Sequence, residues 1–74
     1  MSALRVAFGK TVREIRLELG LSQEKLAQKV KVSRNFLGSV ERGESSLSLE
    51  VAERLAKAVD MRISELFMKV ESRR

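Results

Sequence analysis

Apolar residues recur along this chain at the spacing of amphipathic helices. The first stripe is spaced by four, three and four residues, which predicts a helix. It consists of Phe8, Val12, Ile15 and Leu19. Gly20 stands where glycine commonly ends a helix, so we expect this helix to end near Leu19.

Serines precede each of the later apolar stripes, and a serine side chain can accept hydrogen bonds from the unpaired amides of a first helical turn. The predicted caps and helices are Ser22 before a helix of about eight residues, Ser33 before residues 34–42, Ser48 before residues 49–59, and Ser64 before a last turn or two. The recurring apolar positions of these helices are Leu26, Ala27, Val30, Phe36, Leu37, Val40, Leu49, Ala52, Leu55, Ala56, Val59, Leu66, Phe67 and Val70. We expect the tail, residues 71–74, to fray.

No stretch of four or more residues alternates as a β-strand would, and no internal repeat is present. The 74 residues therefore predict one all-α domain of five helices, with its core over about residues 8–67. The chain has no cysteine and no proline, so we expect a cytoplasmic protein stabilised by a single apolar core.

Composition narrows the chemistry that this chain can perform. The chain has no histidine and no cysteine, which supply most soft metal ligands and most nucleophile–base pairs. We therefore expect no enzyme, no metal and no cofactor, and also no small-molecule ligand. No apolar run approaches about 18 residues, so a membrane span is not expected either.

The formal net charge of +5 is distributed unevenly along the chain. Residues 1–35 carry eight basic and three acidic side chains, whereas residues 36–74 carry seven of each. A basic half of this kind is typical of a polyanion-binding surface, although charge alone does not separate DNA from RNA or from an anionic membrane. The plain alternative is a charged surface that only maintains solubility.

The second and third predicted helices have the order that a helix-turn-helix requires. Such a motif presents polar residues at the start of its second helix to base edges, while the inner face packs on the first helix. Arg34 and Asn35 meet the outward requirement, and Leu37 and Val40 meet the inward one.

Three short segments resemble the Xre family of helix-turn-helix regulators, which includes phage repressors and Cro-like proteins. They are Gly-Leu-Ser-Gln-Glu-Lys-Leu-Ala at 20–27, Val-Ser-Arg-Asn-Phe-Leu at 32–37 and Val-Glu-Arg-Gly at 40–43. Within the family, the length and the Glu-Arg-Gly sequence look most like the controller proteins of restriction–modification systems. One departure is Ser45-Ser46, where controllers carry an Arg-Asn pair.

The resemblance implies a compact five-helix fold of the lambda-repressor type and a surface that contacts double-stranded DNA. The implied base-contacting residues are Arg34, Asn35 and Ser39, and the implied backbone contacts are Gln23, Ser33, Arg42, Ser45 and Ser46, with Ser48 nearby. Arg34 would pair with guanine and Asn35 with adenine. Phe36 fits either the DNA wall or the core, and the core is the commoner place for an aromatic residue.

The resemblance also implies two structural features. Arg16 and Glu41 occupy the positions of a partly buried ion pair between the first and third helices. Family members bind palindromic operators as homodimers, and the apolar residues that a small core would struggle to bury are our predicted interface: Leu47, Met61, Ile63 and Phe67. We expect a regulator of its own promoter that responds to its own concentration.

Other classes of protein remain open at this point. A general Xre-type repressor and an antitoxin-like protein-interaction module share the fold, but Arg34, Asn35 and Gln23 would have no use in a domain without DNA. The first helix is basic and amphipathic enough for a membrane surface, yet its apolar stripe is needed to cover the other helices.

Overall fold

The computed structural model describes residues 2–74 and has five α-helices and no strand within that range. The helices are α1 (Ala3–Glu18), α2 (Gln23–Val30), α3 (Arg34–Glu41), α4 (Leu49–Ala58) and α5 (Ile63–Arg73). The predicted all-α class and the number of helices are therefore confirmed. No helix within residues 2–74 is both long enough and apolar enough to span a bilayer.

Serine hydroxyls cap α2, α3 and α4 as the sequence predicts. Ser22, Ser33 and Ser48 each accept a hydrogen bond from the amide three residues later, at 3.0–3.1 Å. Each bond satisfies one of the amides that a first helical turn leaves without a backbone partner. The starts of these three helices are thus encoded by residues adjacent to them.

The prediction that Ser64 begins the last helix is wrong. The cap of α5 is Arg62, and the Glu65 carboxylate accepts the Arg62 amide at 2.7 Å. The glutamate at this third helical position thus satisfies the amide of the cap residue itself, and no side chain of Arg62 caps the amides of the first turn. Ser64 itself lies within the first turn and is exposed.

The expected frayed tail is also not observed, because α5 continues to Arg73. The Arg73 guanidinium donates from Nε to Thr11 Oγ1 at 3.1 Å and forms an ion pair with Glu14. Val70, an apolar position that the sequence assigns to the last helix, is completely buried. These contacts tie the end of the chain to α1.

The core lies where α1 crosses α3 and α5, and where α2 and α4 close the other side. Leu26, Leu66, Val30 and Val70 are its most deeply buried large side chains. Gly9 of α1 lies against the carbonyl end of α3. Arg54 of α4 donates to the Val30 carbonyl at 2.8 Å and so holds α4 at the end of α2.

Two residues of the predicted apolar stripes are exposed. Leu19 is 52% exposed because it is the residue after the last full turn of α1, where the chain turns away at Gly20. Leu49 is 77% exposed, the largest value among the large apolar residues that the structure describes as exposed. It is the first residue of α4 and projects from the start of that helix.

Candidate nucleic-acid interface

Three residues connect α2 to α3 and set the angle between the two helices. Lys31 adopts a left-handed backbone conformation with φ 65°, which turns the chain out of α2. The Val32 amide then donates to the Ala27 carbonyl at 3.0 Å, and Ser33 caps α3. The turn thus presents the first residues of α3 to solvent.

The residues predicted to read bases lie at the beginning of α3. Arg34 and Asn35 are both exposed, while Leu37 and Val40 on the opposite side of the helix are buried. Arg34 and Asn35 share one surface depression of about 190 Å³ with Gln23, Gly38 and Arg42. The structure therefore brings two predicted base-contacting residues together with two predicted backbone-contacting residues.

Gly38 is one of the residues that line this depression. A Cβ atom at this position would lie 3.2 Å from a terminal guanidinium nitrogen of Arg42 and 3.6 Å from Oε1 of Gln23. The absence of a side chain therefore lets the polar groups of α2 and α3 approach each other. Sequence reasoning missed Gly38, although a glycine in the middle of a helix usually has a packing or functional reason.

Gln23 connects this surface to the interior. Its Nε2 donates to Glu41 Oε1 at 3.0 Å, and its side chain is half-buried. Only one hydrogen of the amide group is used in this bond, so the other hydrogen and Oε1 remain as polar groups beside Gly38. The glutamine is thereby held in one orientation at the start of α2.

Arg16 and Glu41 form the buried ion pair between α1 and α3. The guanidinium donates to both carboxylate oxygens, at 2.7 and 3.1 Å, and also to the Leu21 carbonyl at 2.9 Å. The two residues are 8% and 7% exposed. The charge of Arg16 is therefore used inside the protein and does not add to the polyanion-binding surface.

Ser39 is tied to its own chain rather than projecting from it. Its hydroxyl donates to the Phe36 carbonyl at 2.7 Å and lies 2.8 Å from the Ser45 hydroxyl, which can donate in return. Both serines are half-buried. The pair therefore fixes the loop of residues 44–48 against α3, and the Ser39 proton is already engaged.

The other predicted backbone contacts lie around the edge of the same face. Ser33 and Ser46 are exposed, and the Ser33 oxygen caps α3 without using its own proton. Arg42 is exposed and forms a solvated ion pair with Glu44 at 3.1 Å. Phe36 is half-buried and packs against the core, which is the commoner of its two predicted positions.

The four residues predicted to form a dimer interface do not lie in a single exposed patch. Leu47, Met61 and Phe67 are partly buried and pack against the core, and Ile63 is 39% exposed. The Phe67 ring lies against the Phe8 ring, with centroids 5.4 Å apart. Sequence reasoning counted Leu49 among the apolar positions of α4 and left it out of the interface, although it is the most exposed leucine within residues 2–74.

The chain belongs to the helix-turn-helix family, whose model matches residues 12–66. The predicted resemblance to Xre-type regulators, and among them to restriction–modification controllers, is confirmed by several relatives. The control protein C.BamHI of Bacillus amyloliquefaciens is 38% identical over 64 residues, which cover 85% of this chain and 79% of that protein.

Solved structures give the same result. The restriction–modification controller protein C.AhdI of Aeromonas hydrophila is 44% identical, with a TM-score of 0.85 over 89% of this chain and all of that one. The controller C.Esp1396I, crystallised as a tetramer in complex with its natural 35 base-pair operator, is 26% identical with a TM-score of 0.89. That alignment covers 99% of this chain and 96% of that protein.

Proposed function

We propose that this protein is a transcriptional regulator that binds a specific duplex DNA sequence, with α3 in the major groove. The observation that carries this proposal is the grouping of Arg34 and Asn35 with Gln23 and Arg42 around Gly38. An exposed arginine and asparagine at the start of α3 can form bidentate hydrogen bonds with guanine and adenine. No catalytic activity is part of this function.

The flanking groups suit the phosphates on either side of a bound groove. Gln23 stands at the start of α2, where amide groups and the helix dipole favour an anion, and Arg42 stands at the end of α3. Ser33 and Ser46 add exposed hydroxyls at the same face. The similar controller C.Esp1396I is known in complex with an operator, which supports this arrangement.

The protein is proposed to act as a homodimer on a palindromic operator. One recognition helix reads only a few base pairs, and a twofold dimer doubles this number on half-sites spaced by about one helical turn, roughly 34 Å. The resemblance to C.BamHI and C.AhdI supports a controller that regulates its own promoter. If dimerisation is weak, operator occupancy rises more steeply with total protein than a single-site isotherm.

Selection of bound sites from a random duplex pool tests this function. We expect enrichment of a palindrome whose half-sites contain the guanine and adenine contacts of Arg34 and Asn35. Titration of that site from nanomolar to micromolar protein then measures the steepness of occupancy. A pool that remains unenriched after repeated rounds contradicts sequence-specific binding, and a Hill slope near one contradicts control by weak dimerisation.

A further inference from the structure

An apolar groove lies between the start of α1, the 44–48 loop and the helices α4 and α5. It is lined mainly by Leu4, Phe8, Leu47, Leu49, Ala52 and Phe67, and its volume is about 150 Å³. Apolar cavities of about this size can hold a benzene ring, so a leucine side chain fits within the same space. We call this feature the Leu49 groove.

Leu49 stands at the edge of the groove rather than inside it. The residue is 77% exposed, and the Ser48 cap holds the first turn of α4 in place by accepting the Val51 amide at 3.1 Å. A leucine exposed to this extent gains little free energy of burial from contacts within its own chain. A protruding apolar side chain beside an apolar groove is self-complementary, as the two halves of a twofold interface must be.

Two charged residues indicate how a second copy would be oriented at the groove. Arg5 is the one charged residue among those lining the groove, and it takes part in none of the ion pairs found within residues 2–74. Glu53 is exposed and lies four positions after Leu49, so the two side chains project from the same face of α4. A leucine that enters a second copy's groove therefore brings Glu53 towards an arginine.

We propose that the Leu49 groove is the homodimer contact, with Leu49 inserted into the groove of a second copy and Glu53 paired with the partner's Arg5. This inference rests on the homodimer of the proposed function and specifies its register. It retains Leu47 and Phe67 from the predicted interface and places Leu49, Leu4 and Arg5 at its centre. Met61 and Ile63 do not line the groove.

Sedimentation equilibrium of Leu49→Asp tests the apolar part of the contact. We expect the dimer dissociation constant to rise about 100-fold or more, because a twofold contact loses two buried leucines at once. The matched control is Leu17→Asp, since Leu17 is also an exposed leucine, at 56%, and lies 13 positions along α1 from Leu4. This control should dimerise like the wild type, and circular dichroism should show both variants folded.

A charge exchange tests the register. Arg5→Glu and Glu53→Arg should each weaken the dimer about tenfold, and the double variant should recover most of the loss. Glu50 is another exposed glutamate of α4, three positions before Glu53, and Glu50→Arg should fail to rescue Arg5→Glu. Recovery by Glu50→Arg, or no recovery by Glu53→Arg, overturns the proposed register.

The possible failures are distinguishable. If the wild type dimerises and Leu49→Asp dimerises equally well, the groove contact is wrong and the proposed function stands. If the wild type remains monomeric at high micromolar concentration, with and without its selected operator, the homodimer of the proposed function is itself wrong. If Leu49→Asp is monomeric and Leu17→Asp dimeric, the groove is the interface.

Discussion

Glu41 connects the buried ion pair with Gln23, a residue of the proposed DNA-binding surface. Its carboxylate accepts two bonds from Arg16 and one from Gln23, at 2.7–3.1 Å. The carboxylate is therefore satisfied on both sides although the residue is buried. A single buried charge thus orients Gln23 at the start of α2.

Replacement of this carboxylate by the amide should destabilise the protein strongly. Glu41→Gln leaves the Arg16 guanidinium buried without a negative partner, which costs roughly 3–5 kcal/mol. Denaturant unfolding followed by circular dichroism measures the change. The exposed pair of Arg42 and Glu44 supplies the control, because Glu44→Gln should shift stability by no more than about 0.5 kcal/mol.

Gly38→Ala should weaken DNA binding without destabilising the protein. Alanine favours a helix interior over glycine by about 0.5–1 kcal/mol, and the nearest obstacle is the flexible end of Arg42. Gly38→Ala should therefore keep or raise the free energy of unfolding, while the added methyl group lowers operator affinity roughly tenfold, or about 1.4 kcal/mol. Unchanged affinity would mean that the depression around Gly38 does not face DNA.

Among the elements, the crossing of α1 and α3 depends on a residue without a side chain. A Cβ atom at Gly9 would lie 2.3 Å from the Val40 carbonyl oxygen and 2.6 Å from that of Glu41. Backbone atoms on both sides leave no flexible group to move aside. The helices can pack at this distance only because position 9 is glycine.

Gly9→Ala should therefore destabilise the fold despite the higher helix propensity of alanine. Forced separation of α1 from α3 should outweigh a propensity gain of about 1 kcal/mol and leave a net loss of about 1–3 kcal/mol. Thermal unfolding compares this variant with Lys10→Ala, an exposed neighbour on the same helix. An equal melting temperature for the two variants would show that the crossing tolerates a methyl group.

Three helix starts were predictable because a serine three residues away caps them, whereas the end of α5 was not, because its contacts are remote in sequence. Ser22, Ser33 and Ser48 cap the amides three residues ahead, so a short stretch of sequence contains the whole interaction. The length of α5 depends instead on Arg73 reaching Thr11, 62 positions away in the chain. Such a contact exists only after the helices have packed.

Some features of the candidate site also follow from local sequence, and others depend on how the chain packs. The exposure of Arg34 and Asn35 follows from the apolar period of α3, which fixes the outward face. The bond between Ser39 and Ser45 does not, since it requires the conformation of the 44–48 loop. The predicted direct role of Ser39 at the bases therefore remains a prediction, and the structure assigns its hydroxyl internal partners.

The 44–48 loop lies between the proposed DNA-binding surface and the Leu49 groove. Ser45 contacts the recognition helix through Ser39, and the same loop lines the Leu49 groove. Occupation of the groove by a second copy would therefore support the loop that packs against α3. The proposed dimer contact and the proposed DNA contact are thus connected through these few loop residues.

Position-resolved DNA binding by Arg34→Ala shows directly whether α3 reads the operator. The operator selected by the wild type is titrated with this variant at fixed salt, together with duplexes that carry each base at every position of one half-site. We predict that affinity falls by about 1–3 kcal/mol and that discrimination is lost at a single guanine position in the half-site. Gln23→Ala is the contrast, because loss of a phosphate contact should weaken all sequences about equally. Undiminished affinity and unchanged discrimination in Arg34→Ala would contradict the claim that α3 reads the operator.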